Sequence, residues 1–152
     1  MEDQINDAAM NIIKVYVAQM NSAMKISKII CEHSEEEELT GDHVISGLVY
    51  RLMNLMTDED MTDSLEKADD IMNNYNSSDD EEDDEIEGLE DLSDYVKPDK
   101  FRKINKNTCS CDICKRVREC LDKYETYDTF DPLVTRFKES IKETCTKHKI
   151  II

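Results

Sequence analysis

The chain has 152 residues, of which 39% are hydrophobic and only 6% aromatic, with no Trp, so its core must be built mainly from aliphatic side chains. With only 3 Gly and 2 Pro, the sequence disfavours β-sandwiches and barrels, which need many tight turns, and favours an all-α fold. The net charge of −17 is uneven, since residues 1–96 carry 27 acidic and 5 basic side chains and residues 97–152 carry 9 and 14; the first part would repel nucleic acid and the second could approach it.

The acidic start of the chain does not resemble a signal peptide, and no apolar run approaches the roughly 18 residues that span a bilayer. We therefore expect a protein of the nucleus or cytoplasm that is neither secreted nor membrane-bound. In such reducing compartments its 6 cysteines favour metal binding or core packing over disulfides. Phosphate-binding glycine loops are absent, and no nucleophile has a recognisable base, so we predict no enzyme.

From Ala8 to Cys31, apolar residues recur at three- and four-residue steps, which predicts one long amphipathic helix after a frayed start at residues 1–7. Such a helix is about 36 Å long. A single shorter helix cannot cover its apolar stripe, so the pattern implies a further partner surface.

A short acidic loop at residues 34–39 separates this helix from a second one. Thr40 is a suitable N-cap, and the apolar periodicity continues to Met56. Thr57 and the acids after it then predict the start of a third helix.

The run around this loop resembles the core histones, in which a Thr caps the last helix and a Val-Val-x-x-Leu face packs in the dimer. The residues that carry the likeness are Glu32-His33, Leu39-Thr40, Val44-Ile45 and Leu48. The resemblance implies the middle helix, second loop and last helix of a histone fold, with the third helix as a C-terminal addition. A generic helical hairpin is the alternative interpretation.

Two departures from the histone pattern limit what the resemblance implies. The short first helix of the family has no room before the long helix, and the second loop carries Glu35 to Glu38 where DNA-wrapping histones are basic. Repulsion between these carboxylates and phosphates favours a unit that dimerises over one that wraps DNA. The implied partner is a histone-fold chain or a second copy, contacted through Ile13, Tyr16, Met20, Met24, Val44, Ile45, Leu48 and Leu52.

An acidic segment divides the chain into a helical dimerisation unit (residues 1–76), a linker (77–96) and a basic tail (97–152). The linker contains seven consecutive acids at residues 79–85, and its composition predicts disorder. It could be a solubilising spacer or an acidic chaperone for basic proteins.

The basic tail contains a C-x-C-x-x-C run followed by two predicted helices, the second starting at Asp131-Pro132. An antiparallel hairpin of these helices would bring the run beside the end of the last helix. We therefore predict a structural zinc site formed by four of five side chains: Cys109, Cys111, Cys114, Cys145 and His148. The preferred set is Cys111, Cys114, Cys145 and His148, with Cys109 as the substitute ligand. Buried reduced thiols and a redox role are the alternatives.

Cys31, His33 and His43 flank the acidic loop, but their spacing fits no common metal site. Cys120 lies in an apolar stripe and is assigned to the core. Basic side chains of the tail could instead contact nucleic-acid phosphates, although aromatic residues for base stacking are scarce. The candidates are Lys100, Arg102, Lys103, Lys115, Arg116 and Arg118.

These features together predict a non-enzymatic assembly protein of a chromatin- or transcription-related complex, with nucleic-acid binding or chaperoning of basic proteins as alternatives. The combination of a partial histone-like unit and a Cys-rich tail also resembles small proteins of large nucleocytoplasmic DNA viruses. That resemblance implies a location in the viral factory or the virion.

Overall fold

A computed structural model describes residues 2–77 and 98–152, and within them five α-helices and two short strands. The elements are α1 (Glu2–His33), α2 (Gly41–Met53), α3 (Asp58–Ser77), β1 (Arg102–Lys103), α4 (Asp112–Lys123), α5 (Pro132–Lys147) and β2 (Ile150–Ile151). The predicted all-α class is confirmed for this part of the chain. The predicted acidic linker falls, after its first residue, outside the described residues. None of the described helices has the length and apolar character that crossing a membrane would require.

Helix α1 is longer than its apolar period predicts. It begins at Glu2 rather than near residue 8, and the prediction of a frayed start was wrong. Glu2 and Asp3 lie in its first turn, where carboxylates interact favourably with the positive end of the helix dipole. The additional two turns extend the helix well beyond the reach of α2.

Helix α2 begins with the predicted cap. The Thr40 side chain accepts a hydrogen bond from the His43 backbone N–H, and the Thr40 N–H donates to His43 Nδ1 at 3.0 Å. This reciprocal capping box satisfies two donors of the first turn. The helix ends at Met53 and not at Met56, so Leu55 is left in solvent.

Helices α1, α2 and α3 pack through small side chains. Gly47 of α2 lies so close to α1 that a Cβ there would overlap Ser27 Oγ and the carbonyl oxygen of Ala23. Ser64 and Ala68 of α3 are also fully buried. Small residues let helix backbones approach closely, and this explains how the first three helices pack against one another.

Helices α4 and α5 both pack on α2. The predicted arrangement, in which they lie against each other as an antiparallel hairpin, is therefore not the dominant packing. One core of buried side chains runs through both parts of the chain: Ile26, Ile30, Ile45, Val49, Ile104, Val117, Cys120, Leu121, Tyr124, Ile141, Cys145 and Ile150. Helix α2 is the element that the two parts share.

Strands β1 and β2 form a two-residue parallel pair, with Arg102 opposite Ile150. This pair anchors an ionic contact to the start of α2. Arg102 donates from two nitrogens to the two carboxylate oxygens of Asp42, each at 2.8 Å, and the Asn105 N–H donates to the same carboxylate at 2.8 Å. Burial raises the pKa of Asp42, but these hydrogen bonds outweigh that effect and hold it below its usual value. The contact ties the basic tail to the first three helices.

Candidate metal centre

Four potential metal ligands from distant parts of the chain meet between α1 and α4. They are His33, Cys109, Cys111 and Cys114, whose ligand atoms all lie within 4.8 Å of one another. His33 Nδ1 is 3.6, 3.2 and 3.4 Å from the sulfurs of Cys109, Cys111 and Cys114 in turn. Metal–ligand bonds of about 2.0–2.3 Å in a tetrahedron place a nitrogen and a sulfur about 3.5 Å apart. The three nitrogen–sulfur distances therefore match those of a tetrahedral site.

Helix ends position these ligands. His33 is the last residue of α1, and the chain turns away directly after it, with Glu35 in the left-handed backbone region at a φ of 58°. Cys111 is the N-cap of α4, and its sulfur accepts from the Cys114 N–H at 3.4 Å. Cys114, in the first turn, is fully buried. Rigid helix termini thus define the directions of three of the four ligands.

The sulfurs of the cluster also accept hydrogen bonds from neighbouring backbone and side-chain groups. The Cys111 N–H donates to Cys109 Sγ at 3.5 Å, and the Asn107 side-chain amide donates to Cys114 Sγ at 3.1 Å. Arg118 in turn donates to the backbone and side-chain carbonyl oxygens of Asn107 at 3.1 and 3.0 Å. Partners of this kind orient metal ligands and stabilise negative charge on thiolates.

The thiols of Cys111 and Cys114 have opposite pKa shifts. The hydrogen bond from the Cys114 N–H lowers the pKa of Cys111 to about 6, whereas burial raises the pKa of Cys114 to about 11. The Cys111 thiol therefore ionises more readily than the Cys114 thiol. A bound cation would displace the remaining thiol protons, since only thiolates ligate metals.

Chemically, the arrangement supplies three thiolates and one imidazole to a single ion. Four protein ligands complete a tetrahedron and leave no position for a substrate, which is the pattern of structural rather than catalytic centres. All six cysteines are free thiols. The cluster can therefore hold a metal ion, as the C-x-C-x-x-C run predicted.

The other two predicted ligands lie elsewhere. Cys145 is buried in the core, where desolvation raises the pKa of its thiol to about 11. His148 is the C-cap of α5. Neither belongs to the four-residue cluster, because α4 and α5 each pack mainly on α2 and Cys145 lies in the shared core, away from His33 and the cysteine run. This part of the predicted ligand set differs from the structure.

Sequence reasoning did not assign His33 to the centre. The histidine precedes Cys109 by 76 residues, with an acidic segment between them. The available signal was that a three-cysteine run lacks a fourth ligand and that the chain has only 3 histidines. Of the other residues near the acidic loop, Cys31 donates to the Glu36 carbonyl oxygen at 3.5 Å, and His43 serves the capping box.

A cleft of about 1250 Å³ opens beside the centre. The acidic loop after α1 and the start of α2 form one wall, and residues 105–110 with the end of α5 form the other. His33, Cys109 and His148 line it, so the centre is reachable from solvent on this side.

Two of the six basic residues predicted to contact nucleic acid make contacts within the chain. Arg102 binds Asp42, and Arg118 binds Asn107. The remaining four are exposed: Lys100, Lys103, Lys115 and Arg116. The acidic run that suggested a chaperone lies outside the described residues.

The predicted dimer interface divides into two groups. On α2, Ile45 is buried in the core, Leu48 and Leu52 pack against it, and Val44 is half-buried. On α1, Ile13 and Met20 are about half exposed, and Tyr16 and Met24 are half-buried. The α2 face is used within the chain, which leaves the α1 residues as the available part of that surface.

Comparison of the chain with protein-family models, with curated proteins and with solved structures finds no match. The centre is therefore interpreted from its own geometry.

Proposed function

We propose that this chain is a non-enzymatic assembly protein whose acidic helices and basic tail are joined by one structural zinc ion at His33, Cys109, Cys111 and Cys114. The observation that carries the proposal is the closed set of four ligands drawn from both parts of the chain. Three thiolates and an imidazole in a tetrahedron suit zinc better than magnesium, calcium or manganese, which prefer oxygen ligands.

An ion that joins distant segments of a chain has a large effect on its stability. A bond between His33 and the cysteine run closes a loop of about 76 residues, and constraining a long loop removes many conformations from the unfolded chain. The C-terminal 55 residues have a small core of their own, and small modules commonly depend on a metal for folding. Zinc would thus hold the tail on α2 in one arrangement.

Metal analysis of the full chain, purified without chelator, tests this proposal. We expect one zinc ion per chain and, after replacement by Co²⁺, the visible absorption of a tetrahedral thiolate site. His33→Ala should lose the metal at moderate chelator concentration, whereas Glu32→Ala, at the exposed neighbouring position, should retain it. His33→Cys should restore binding, because a fourth thiolate also completes the tetrahedron.

A folded chain that carries far less than one equivalent of zinc would contradict the proposal. Equal metal retention by His33→Ala and Glu32→Ala would remove His33 from the ligand set and with it the joining of the two parts.

The role in assembly extends the same proposal. A closed centre offers no position for substrate, and α1 exposes apolar side chains that α2 does not cover. A histone-fold partner or a second copy in a chromatin- or transcription-related complex would occupy such a surface. The mass of the zinc-loaded chain in solution, alone and with candidate partners, is the corresponding measurement.

Nucleic-acid binding by the tail is the second candidate, supported by the exposure of Lys115 and Arg116 directly after Cys114. Replacement of both by Ala should weaken binding of a short DNA or RNA duplex and lower its salt dependence by about two phosphate contacts. Absence of binding at low salt would eliminate this candidate.

A further inference from the structure

We propose that Asn107 and Arg118 act together as positioning residues of the metal centre. In this pair, Arg118 fixes the side-chain amide of Asn107 so that the amide nitrogen donates to the Cys114 thiolate. The inference rests on the proposed function, because it concerns the affinity of the same four-residue cluster for its metal. Neither residue is itself a ligand, since the cluster consists of His33 and the three cysteines of the run.

Each sulfur of the cluster accepts a hydrogen bond from an N–H group, but the donors differ in kind. The sulfurs of Cys109 and Cys111 accept from the backbone N–H groups of Cys111 and Cys114. The Cys114 sulfur accepts instead from a side chain, the amide of Asn107, at 3.1 Å. The two backbone donors are held by the fold of the chain at the start of α4, whereas the donor to Cys114 depends on one side chain.

Burial makes this side-chain donor important. Cys114 is completely buried, so water does not hydrate its sulfur. A buried charge without a hydrogen bond is costly, and Cys114 must lose its proton in order to bind a metal. The Asn107 amide therefore supplies to this thiolate the hydrogen bond that water supplies to an exposed one.

Arg118 determines which way the Asn107 amide faces. A guanidinium group has only donors, whereas an amide has an acceptor oxygen on one side and a donor nitrogen on the other. Nη1 of Arg118 donates to Asn107 Oδ1 at 3.0 Å and to the Asn107 backbone carbonyl oxygen at 3.1 Å. With its oxygen held by Arg118, the amide directs Nδ2 at the Cys114 sulfur. A flipped amide would bring its oxygen against a thiolate and its N–H₂ group against a cation, and both contacts are repulsive.

The register of α4 brings Arg118 to the same place as the ligand that it supports. Cys114 and Arg118 are four residues apart and therefore lie on one face of the helix. Three thiolates and a neutral imidazole around Zn²⁺ leave a net negative charge, which the cation of Arg118 offsets. Within residues 2–77 and 98–152, Arg118 forms no salt bridge that would compete with this role.

The affinity of the full chain for zinc, measured by competition with a chelator, tests the part played by Asn107. Asn107→Leu keeps a similar volume but has no donor, and we expect it to bind zinc about 10–100-fold more weakly. Asn105→Leu is the matched control, because Asn105 is exposed and contacts Asp42 through its backbone. The control should bind zinc as the parent chain does.

A second series tests Arg118. Arg118→Met removes both hydrogen bonds to Asn107 and should weaken zinc binding about tenfold. Arg118→Lys should restore most of the affinity, since an ammonium group keeps the charge and can donate to the same two oxygens. Arg116→Met, at an exposed position of the same helix, removes the same charge without touching Asn107 and should have little effect.

The absorption of the Co²⁺-loaded chain separates positioning from a general effect on folding. A hydrogen bond lowers the energy of the sulfur lone pairs, so its loss should move the thiolate-to-cobalt charge-transfer band to longer wavelength. We expect this shift in fully loaded Asn107→Leu and Arg118→Met, and not in Asn105→Leu or Arg116→Met. Far-ultraviolet circular dichroism verifies that all variants are folded.

Unchanged zinc affinity and an unshifted band in Asn107→Leu would overturn the inference. Equal losses in Arg118→Met and Arg116→Met would overturn the part assigned to Arg118, because the effect would then come from charge alone. A parent chain that binds one zinc while these variants bind it equally well would contradict the positioning pair and leave the proposed function intact. A folded parent chain without zinc would contradict both.

Discussion

The two parts of this chain pack through buried side chains of different sizes. Residues 2–77 bring three helices together through small side chains such as Ser27, Gly47 and Ala68, whereas residues 98–152 use larger ones, including Leu121 and Tyr124. The first part depends on close backbone approach. The second covers α2 with larger apolar side chains and, at its edge, gathers three thiols around a histidine from the first part. A larger side chain between α1 and α2 should therefore destabilise the first part most. Loss of a cluster cysteine should affect the second part most.

Gly47→Ala should have the largest effect on folding. The new Cβ would overlap the Ala23 carbonyl oxygen, which is backbone and cannot rotate away, so α1 and α2 must separate. We expect a loss of about 1–3 kcal/mol in the free energy of unfolding from overpacking, even though Ala favours a helix over Gly by about 1 kcal/mol. Urea denaturation monitored by circular dichroism measures it.

Gly41→Ala is the matched control, because a Cβ at Gly41 meets nothing within 4 Å. It should leave stability unchanged or raise it slightly through helix propensity. If both variants behaved alike, the close approach of α1 and α2 would not be what holds the first part together.

The contact between the two parts should depend on pH through Asp42. In the folded chain the pKa of Asp42 lies below the usual value of an aspartate. The ionised carboxylate therefore stabilises the fold fully above that usual value, and this contribution is lost as the pH falls through the lower folded pKa. Asp42→Asn should cost about 1–3 kcal/mol at pH 7. The difference between parent and variant should shrink below about pH 4.

Acid also protonates the thiolates and releases a metal ion, so the measured quantity is the difference in unfolding free energy between parent and Asp42→Asn at each pH, in the same buffer. A difference that stays constant down to about pH 3 would show that the Asp42 carboxylate is not the titrating group. Arg102→Met should reproduce the loss at pH 7, since it removes the other half of the contact.

The sequence predicts the helices well because their signals are local. The apolar period of α1, the Thr40 cap and the Asp131-Pro132 start lie within a few residues of the elements that they define. The predicted end of α2 differs from the structure, since Leu55 and Met56 continue the apolar pattern but lie beyond the helix. The two-residue strand pair has no local signal, because it depends on β2 meeting a segment about 48 residues earlier.

The candidate site also combines residues that have a local sequence signal with one that depends on a distant segment. Cys109, Cys111 and Cys114 could be identified because their spacing is local. The fourth ligand depends on how α1, α2 and α4 pack, and no residue near His33 signals its contact with a segment on the far side of the acidic run. The three cysteines of the run thus indicate that a fourth ligand is needed, but the sequence does not show which helix end supplies it.

Cys145 and His148 are the two predicted ligands that lie outside the cluster. Their substitution should have the smallest effect. Cys145→Ala removes a buried sulfur and should cost about 1 kcal/mol of stability, while zinc content stays at one per chain, because Cys145 lies in the core and outside the four-ligand cluster. His148→Ala should likewise retain the metal, whereas Cys114→Ser, which replaces a member of the four-residue cluster, should release it. Zinc loss from folded Cys145→Ala or His148→Ala would favour the hairpin arrangement of α4 and α5, and the tail would then bind its metal without His33.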